Sequence, residues 1–343
     1  MQGIVPLPQL RQLIVGGYTG PMGDGSGIVT FTLTPTGPSV LGTLELDSPS
    51  YLIRHPELPL LYAVSEGTTS TVAALRLTDH GPELINRVTN SGHGACHLCL
   101  SPDGRHVITA NYGAGSVSCF GLAEDGSLTG QTDLLQFTGS GPDADRQSAP
   151  HPHQAVVDGD LVLVPDLGTD RVHRLAVGAD GKLSQAADPV LLPPGSGPRH
   201  VVVVDDQLVV ACELSAEVWW GPRTGNGGEQ GRLVPASGSD TDQRIYPSAI
   251  IADGSAVFVA NRGSDTVAGF SLADGTLRPA IEIPCGGAWP RDLIATTRHL
   301  WVANQNDGTV VAISREDLAT GRIDGTIETP SPSCLIALDE VTA

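Results

Sequence analysis

Seven times along the chain, a short apolar run ends in a small or polar residue and drops into a polar turn. The copies are Ile14-Val15-Gly16-Gly17-Tyr18, Ala63-Val64-Ser65-Glu66, Thr109-Ala110-Asn111-Tyr112, Val164-Pro165-Asp166-Leu167, Ala211-Cys212-Glu213, Val259-Ala260-Asn261-Arg262 and Val302-Ala303-Asn304-Gln305. Anchored on Gly17, Ser65, Asn111, Asp166, Cys212, Asn261 and Asn304, they recur at steps of 48, 46, 55, 46, 49 and 43 residues. Self-similarity at such a period is the mark of a repeat architecture. The shared part of the phrase builds the scaffold, so chemistry is sought where equivalent positions differ.

A second phrase precedes each copy but the first: Pro49-Ser50-Tyr51, Ala95-Cys96-His97, His151-Pro152-His153, Pro198-Arg199-His200, Pro247-Ser248-Ala249 and Pro290-Arg291-Asp292, with a seventh, Pro332-Ser333-Cys334, near the C-terminus. After each turn comes another apolar run, such as Val117-Ser118-Cys119-Phe120, and then a hairpin cue such as Asp125-Gly126, Asp180-Gly181 or Asp274-Gly275. Asp-Gly between apolar runs is a strong short-range hairpin signal. Each repeat therefore reads as four short strands in a meander, which predicts an all-β, seven-bladed propeller of four-stranded antiparallel blades.

The chain begins on a second-strand phrase, Gln12 to Gly16, and ends on an orphan first-strand phrase, Ser333 to Leu338. Pairing the two completes one blade and seals a ring that would otherwise expose strand edges. With 42 glycines and 26 prolines supplying turns and no window of convincing helical periodicity, residues 1–343 are expected to form one propeller domain. The Gly139–Pro150 and Gly221–Gln243 stretches, rich in Gly, Ser and Asp, read as excursions between blades.

A net charge of −19 argues against nucleic-acid partners and anionic membrane surfaces, both of which call for basic patches. Low aromatic content offers no stacking ladder, and the single lysine, Lys182, sits in a hairpin, so Schiff-base chemistry has no residue. The six cysteines, the lack of a signal-peptide apolar region after Met1 and the absence of a long apolar stretch predict a reduced, cytoplasmic protein, monomeric or weakly dimeric. Cys96 and Cys99 form one solitary CxxC, read as ordinary buried thiols on opposite strand faces.

Against this acidic background, arginines occupy slots that a scaffold does not require. Arg199 and Arg291 stand where other blades carry Ser50, Cys96, Pro152, Ser248 and Ser333; Arg262 stands where they carry Tyr18, Glu66, Tyr112, Leu167, Glu213 and Gln305. His97, His153 and His200 share one slot, with His151 beside them. Singly, such a histidine is an ordinary hydrogen-bonded strand-entry residue, and such an arginine pins blades through a carboxylate such as Asp166 or Asp292. Together they describe a bowl at one mouth of the central channel, built for a small anion, with a base and a carboxylate inside.

Gly94-Ala95-Cys96-His97-Leu98, Ser101-Pro102-Asp103-Gly104-Arg105, Ala110-Asn111-Tyr112-Gly113, Arg146-Gln147 with Pro150-His151-Pro152-His153, Val164 to Arg171, Gly197-Pro198-Arg199-His200, Ala260-Asn261-Arg262-Gly263 and Pro290-Arg291-Asp292 follow one another in the order of a known family. Across almost its whole length the chain resembles the propeller-fold lactonases, which include propeller-type 6-phosphogluconolactonases and fungal carboxymuconate lactonizing enzymes. The resemblance implies a seven-bladed propeller acting without a metal or other cofactor on the lactone of an anionic sugar acid or muconate. It places the family's histidine motif on His151 and His153, its glutamate on Glu213 and its arginines on Arg199 and Arg262. Arg291, His97, His200, Arg146, Asn111 and Asp166 complete the expected substrate-binding set. The chain departs from the family pattern at Gln154, Ser264 and Ser65, where serine, histidine and asparagine are common.

The residue types suit that chemistry on their own terms. Opening a lactone takes a water activated by a base working near neutral pH and a cation or donor set for the oxyanion. His153, favoured over His151 for its shared slot, is the candidate base; Arg199 and Arg262 are candidate anion clamps. Glu213 either orients a histidine or acts as an acid if burial raises its pKa. No G-x-S-x-G elbow occurs, no helix follows the glycines at Gly113 to Gly115, and Asp166 and Asp170 read as Asx turns rather than calcium ligands. Hydrolysis of a phosphorylated sugar lactone leads, followed by a lactonizing cycloisomerase and a catalytically silent scaffold.

Overall fold

The unbroken apolar runs have a simple cause in the packing. In the strand Gln207–Cys212, Leu208, Val210 and Cys212 enter one hydrophobic cluster while Val209 and Ala211 enter the next. Successive side chains leave a strand by opposite faces, and here both faces are covered by neighbouring sheets, so no polar alternation survives. Seven such clusters lie between successive pairs of sheets around the ring, including the last with the first.

The computed structural model describes residues 10–67, 69–225 and 231–339; the remaining positions of the expected 1–343 unit lie outside the described residues. It contains seven four-stranded antiparallel sheets. The strands nearest the axis are, for blades 1 to 7, Pro332–Asp339, Tyr51–Arg54, Ala95–Leu100, Val156–Asp158, Pro198–Val204, Tyr246–Asp253 and Pro290–Ala295. Each pairs with the strand that carries the repeated turn phrase: Leu10–Gly17, Leu60–Ser65, His106–Asn111, Leu161–Asp166, Gln207–Cys212, Ala256–Arg262 and His299–Asn304. Blade 1 closes as expected, with Gln12 opposite Leu338 and Gly16 opposite Cys334.

At the expected Asp274-Gly275 hairpin both central residues take positive φ, 52° and 67°, the backbone a two-residue primed turn demands. The Gly221–Gln243 stretch is corrected in part: it holds the end of Glu217–Pro222 and the outermost strand Arg232–Pro235 of blade 5, and only from residue 236 onward does it run between blades. Residues 226–230 of that stretch lie outside the described residues. Gly139–Pro150 is an excursion, leaving blade 3 after Gln136 and reaching the axis before Val156.

Neighbouring inner strands belong to different sheets, so buried N–H groups facing the next blade need side-chain acceptors. The Ala155 N–H donates to His97 Nδ1 at 3.4 Å, the Val201 N–H to Gln154 Oε1 at 2.7 Å and the Leu335 N–H to Asp292 Oδ2 at 2.8 Å. The ring is thus laced together around the channel, next to its mouth.

Candidate active site

The mouth is built by one irregularity repeated around the axis. In blade 5, Pro198 pairs with Cys212 and His200 with Ala211, which leaves Arg199 as an extra residue. The same shift leaves Cys96 extra in blade 3, Arg291 in blade 7 and Ser333 in blade 1. A β-bulge re-aims the side chain it carries. All four of these residues line a common cavity on the axis, together with Ser50 and Tyr18.

Glu213 is the electrostatic centre. Arg146 Nη2 donates to its Oε1 at 2.7 Å and Arg262 Nη2 to its Oε2 at 2.6 Å, while Arg199 Nε lies 3.3 Å from Oε2. Burial alone would raise the pKa of this carboxyl; Arg262 and Arg199 outweigh burial and hold it well below the usual carboxylate range. Of the two roles the sequence left open for Glu213, the acid role required a raised pKa, which the arginines prevent, and its carboxylate contacts are with guanidinium groups. Its partners also correct the sequence-based choice of Asp166 or Asp292 as the arginines' pin.

Arg199 and Arg262 are each less than a tenth exposed. Burial and the nearness of Arg262 and Arg291 destabilise the charge on Arg199. Arg199 Nη1 also donates to His200 Nε2 at 3.3 Å. Arg262 lies over the rings of Tyr246 and Trp289, 5.7 and 5.4 Å from their centroids. Arg291 differs: among the described residues no carboxylate lies within ion-pairing distance of it, and its guanidinium rests 4.8 Å over the Tyr18 ring, whose hydroxyl donates to Glu66 Oε2 at 2.9 Å.

The four histidines separate into two kinds. His97, His153 and His200 form a buried aromatic group, His200 standing edge-on to each of the others at 5.3 Å and His97 stacked on Tyr51 at 3.8 Å. Burial first, and Arg199 second, keeps all three neutral, with the His97 pKa lowered to about 3. An imidazolium at His153 would stand desolvated beside the Arg199 guanidinium, which disfavours it. His151 is half-buried, stacked on Tyr112 at 4.5 Å, and its Nδ1–H donates to the Tyr112 carbonyl at 2.9 Å. That bond leaves Nε2 as the lone-pair nitrogen, the arrangement a general base needs.

Two expected substrate contacts are not at the mouth. Asn111 is wholly buried: its Oδ1 accepts from Asn90 Nδ2 and Thr109 Oγ1, and its Nδ2 donates to Ser116 and Ser118 hydroxyls, so the whole amide is used inside blade 3. Asp166 Oδ1 accepts the N–H groups of His151 (2.6 Å) and Gly168, and its Oδ2 accepts from Thr169 Oγ1. It is an Asx-type fastener that fixes the backbone of His151 without reaching the cavity. A Cβ on Gly168 would lie 1.9 Å from the Ala149 carbonyl oxygen, so the excursion carrying Arg146 and His151 packs here only because residue 168 is glycine.

Residues 12–337 match the model of the lactonase family described as a seven-bladed β-propeller. The chain belongs to the propeller lactonase family. It is 31% identical to the 6-phosphogluconolactonase of Bacillus subtilis, over 95% of this chain and 98% of that one. Among solved structures, a putative 6-phosphogluconolactonase of Bacteroides fragilis superposes with a TM-score of 0.85 at 28% identity, covering 96% of this chain and 98% of that one. The periplasmic gluconolactonase of Pseudomonas aeruginosa gives 0.86 at 28% identity, covering 96% and 99%. The protein is a lactonase.

Several residues of the candidate site escaped the sequence reading. Tyr18, Glu66 and Tyr112 fill the same turn slot as Arg262 and Glu213, so register equivalence was the signal that would have found them. Asp170 and Gln147 had no such signal. Gln147 Nε2 donates to Asp170 Oδ1 at 2.8 Å, and Asp170 also accepts the N–H groups of Gly195 and Gly197, which ties the loop bearing Arg146 to the approach to Arg199.

Proposed function

We propose that this lactonase hydrolyses an anionic sugar lactone, with 6-phosphogluconolactone giving 6-phosphogluconate as the reaction. The observation that carries the reading is the charge of the mouth: Arg146, Arg199, Arg262 and Arg291 gather around Glu213 and Glu66, beside a histidine whose Nε2 is left as the acceptor. The printed names of the Bacillus and Bacteroides proteins support the same substrate class.

In the mechanism that follows, His151 Nε2 takes a proton from water as the oxygen attacks the ring carbonyl. The tetrahedral oxyanion forms beside the guanidinium groups, which favour its charge. Collapse breaks the bond to the ring oxygen, and that oxygen recovers the proton from the His151 imidazolium. Glu213 takes no part in proton transfer; it fixes Arg146, Arg199 and Arg262 in advance, so their ordering costs little when substrate arrives.

A role in the pentose phosphate pathway follows from that substrate, and a cytoplasmic setting accords with six buried free cysteines. Among the described residues no helix is long and apolar enough to cross a membrane. The test is an assay of the purified protein on 6-phosphogluconolactone and on 3-carboxymuconate, corrected for spontaneous lactone opening. Turnover of the phosphorylated lactone is expected. Turnover of the muconate alone would make the protein a lactonizing cycloisomerase, and turnover of neither would leave a scaffold.

A further inference from the structure

The donors around the mouth divide into those already engaged and those left over. Glu213 takes one guanidinium nitrogen from each of Arg146 and Arg262 and lies against Arg199. Arg291 has no ion pair among the described residues. Ser50 is 4% exposed and its hydroxyl has no hydrogen-bond partner, and Arg199 Nε likewise lacks a well-aligned acceptor. These three leftover groups line the same axial cavity. Buried donors without partners are rare, and each calls for a ligand or an ordered water.

We infer that this cavity is the subsite for the substrate's phosphomonoester group, with Arg291 and Ser50 as its donors and Tyr18 and Glu66 as the pair that positions Arg291. The inference rests on the anionic-lactone reading above and goes beyond it by separating the Glu213-bound arginines from those that seize the anion. The guanidinium groups outnumber Glu213 and Glu66, which favours an anion here, and a phosphomonoester carries about −1.5 to −2 near neutral pH, where a lone carboxylate carries one. The cavity holds about 10 Å³, room for one oxygen atom only, so the group sits at its opening with a single oxygen directed inward to Ser50 and Arg291. The anion would also relieve the repulsion that Arg262 and Arg291 impose on Arg199.

Tyr18 acts through Arg291. Its ring supports the guanidinium face and its hydroxyl anchors Glu66, which keeps that carboxylate beside the ring and off the guanidinium edge. Loss of the ring should free Arg291 to turn toward Glu66, whereas loss of the hydroxyl alone should not.

The test uses the full chain, inorganic phosphate as probe and two lactones, one phosphorylated and one its unphosphorylated counterpart. Calorimetry should show phosphate binding to the unaltered protein, weakened at least tenfold in Arg291→Gln and severalfold in Ser50→Ala. Tyr18→Leu should resemble Arg291→Gln, and Tyr18→Phe should stay within about threefold of the unaltered protein. In kinetics, Arg291→Gln should raise KM for the phosphorylated lactone at least tenfold with kcat changed far less, and should erase most of the preference for it over the unphosphorylated one. Phosphate affinity unchanged in both Arg291→Gln and Ser50→Ala, with far-ultraviolet dichroism showing the fold intact, overturns the subsite. If phosphate binds and those variants lose it while the phosphorylated lactone is not turned over, the subsite stands and the substrate reading falls. Absence of phosphate binding in the unaltered protein overturns the inference even where the lactone is hydrolysed.

Discussion

Arg199 is followed by His200 and Arg291 by Asp292, yet the two members of each pair belong to different electrostatic regimes. The first members line the mouth, where Glu213 is held ionised by three guanidinium groups. The second members, with His97 and His153, form a group on the inner strands, His153 and His200 reaching the same cavity, that is neutral or drawn toward neutrality: burial dominates the lowered pKa values of the histidines and raises that of Asp292 to about 6. Two buried carboxylates a short way apart therefore shift in opposite directions. Glu213 gains guanidinium contacts that outweigh desolvation; Asp292 has backbone N–H groups, the Cys334 thiol and the Arg199 charge, which together do not. Burial alone does not decide protonation; partners do.

The sharpest way to break this comparison is to ask which layer holds the base. His151→Ala should lower turnover by about 10²–10⁴-fold, the usual contribution of general base catalysis, whereas His153→Asn should cost much less. Steady-state kinetics on folded variants decide it, and the reverse order would return the base to the neutral layer.

Glu213→Gln probes the ionised layer. It removes the negative charge shared by buried Arg199 and Arg262 while keeping a carbonyl acceptor, and should destabilise the fold by about 3–5 kcal/mol, as loss of one charge of a buried ion pair does. Urea denaturation measures this. A midpoint equal to that of the unaltered protein would mean that the mouth's charges are not coupled as described.

Asp292→Asn probes the other layer, with the opposite sign. A carboxyl raised from 3.8 to about 6 in the folded state binds its proton more tightly there than in the unfolded chain, so its contribution to stability falls as pH rises from 3.8 through 6. Asparagine keeps a carbonyl acceptor for the Leu335 N–H and removes the charge. The variant should be more stable by about 1–3 kcal/mol above pH 7, on the scale of 1.36 kcal/mol for each pKa unit, with no gain at pH 3. Denaturation at the two pH values checks it, and a loss of stability at pH 8 would show that the ionised form is the better partner of Leu335.

Arg199→Met should have the smallest effect on stability, within about 1 kcal/mol, since ending the repulsion with Arg262 and Arg291 offsets the lost contact with Glu213. Catalysis should still suffer. A large stability loss would make Arg199 a structural pin, the bland reading of its slot.

Much of this molecule is legible along the chain. The sevenfold phrase dictated seven sheets because its apolar runs are buried on both faces and its Asp-Gly turns admit positive φ, and the orphan phrase at Ser333 to Leu338 found its partner at Gln12 to Gly16 because no other edge was open. The slots that hold Arg199, Arg262, Arg291 and Glu213 were visible as departures from a repeating scaffold. Their partners were not. Asn111 and Asp166 stand one position before Tyr112 and Leu167, and strand alternation sent the former into hydrogen-bonded scaffold. The bulges at Cys96, Arg199, Arg291 and Ser333 leave no trace in the sequence, since an extra residue becomes visible only against the strand it faces. The choice among His97, His151, His153 and His200, and the opposite fates of Glu213 and Asp292, depend on desolvation and on charges from other blades. These are sums over distance in three dimensions, so sequence alone fixed the ring and the candidate groups, while tertiary structure decided which of them are charged, paired or free.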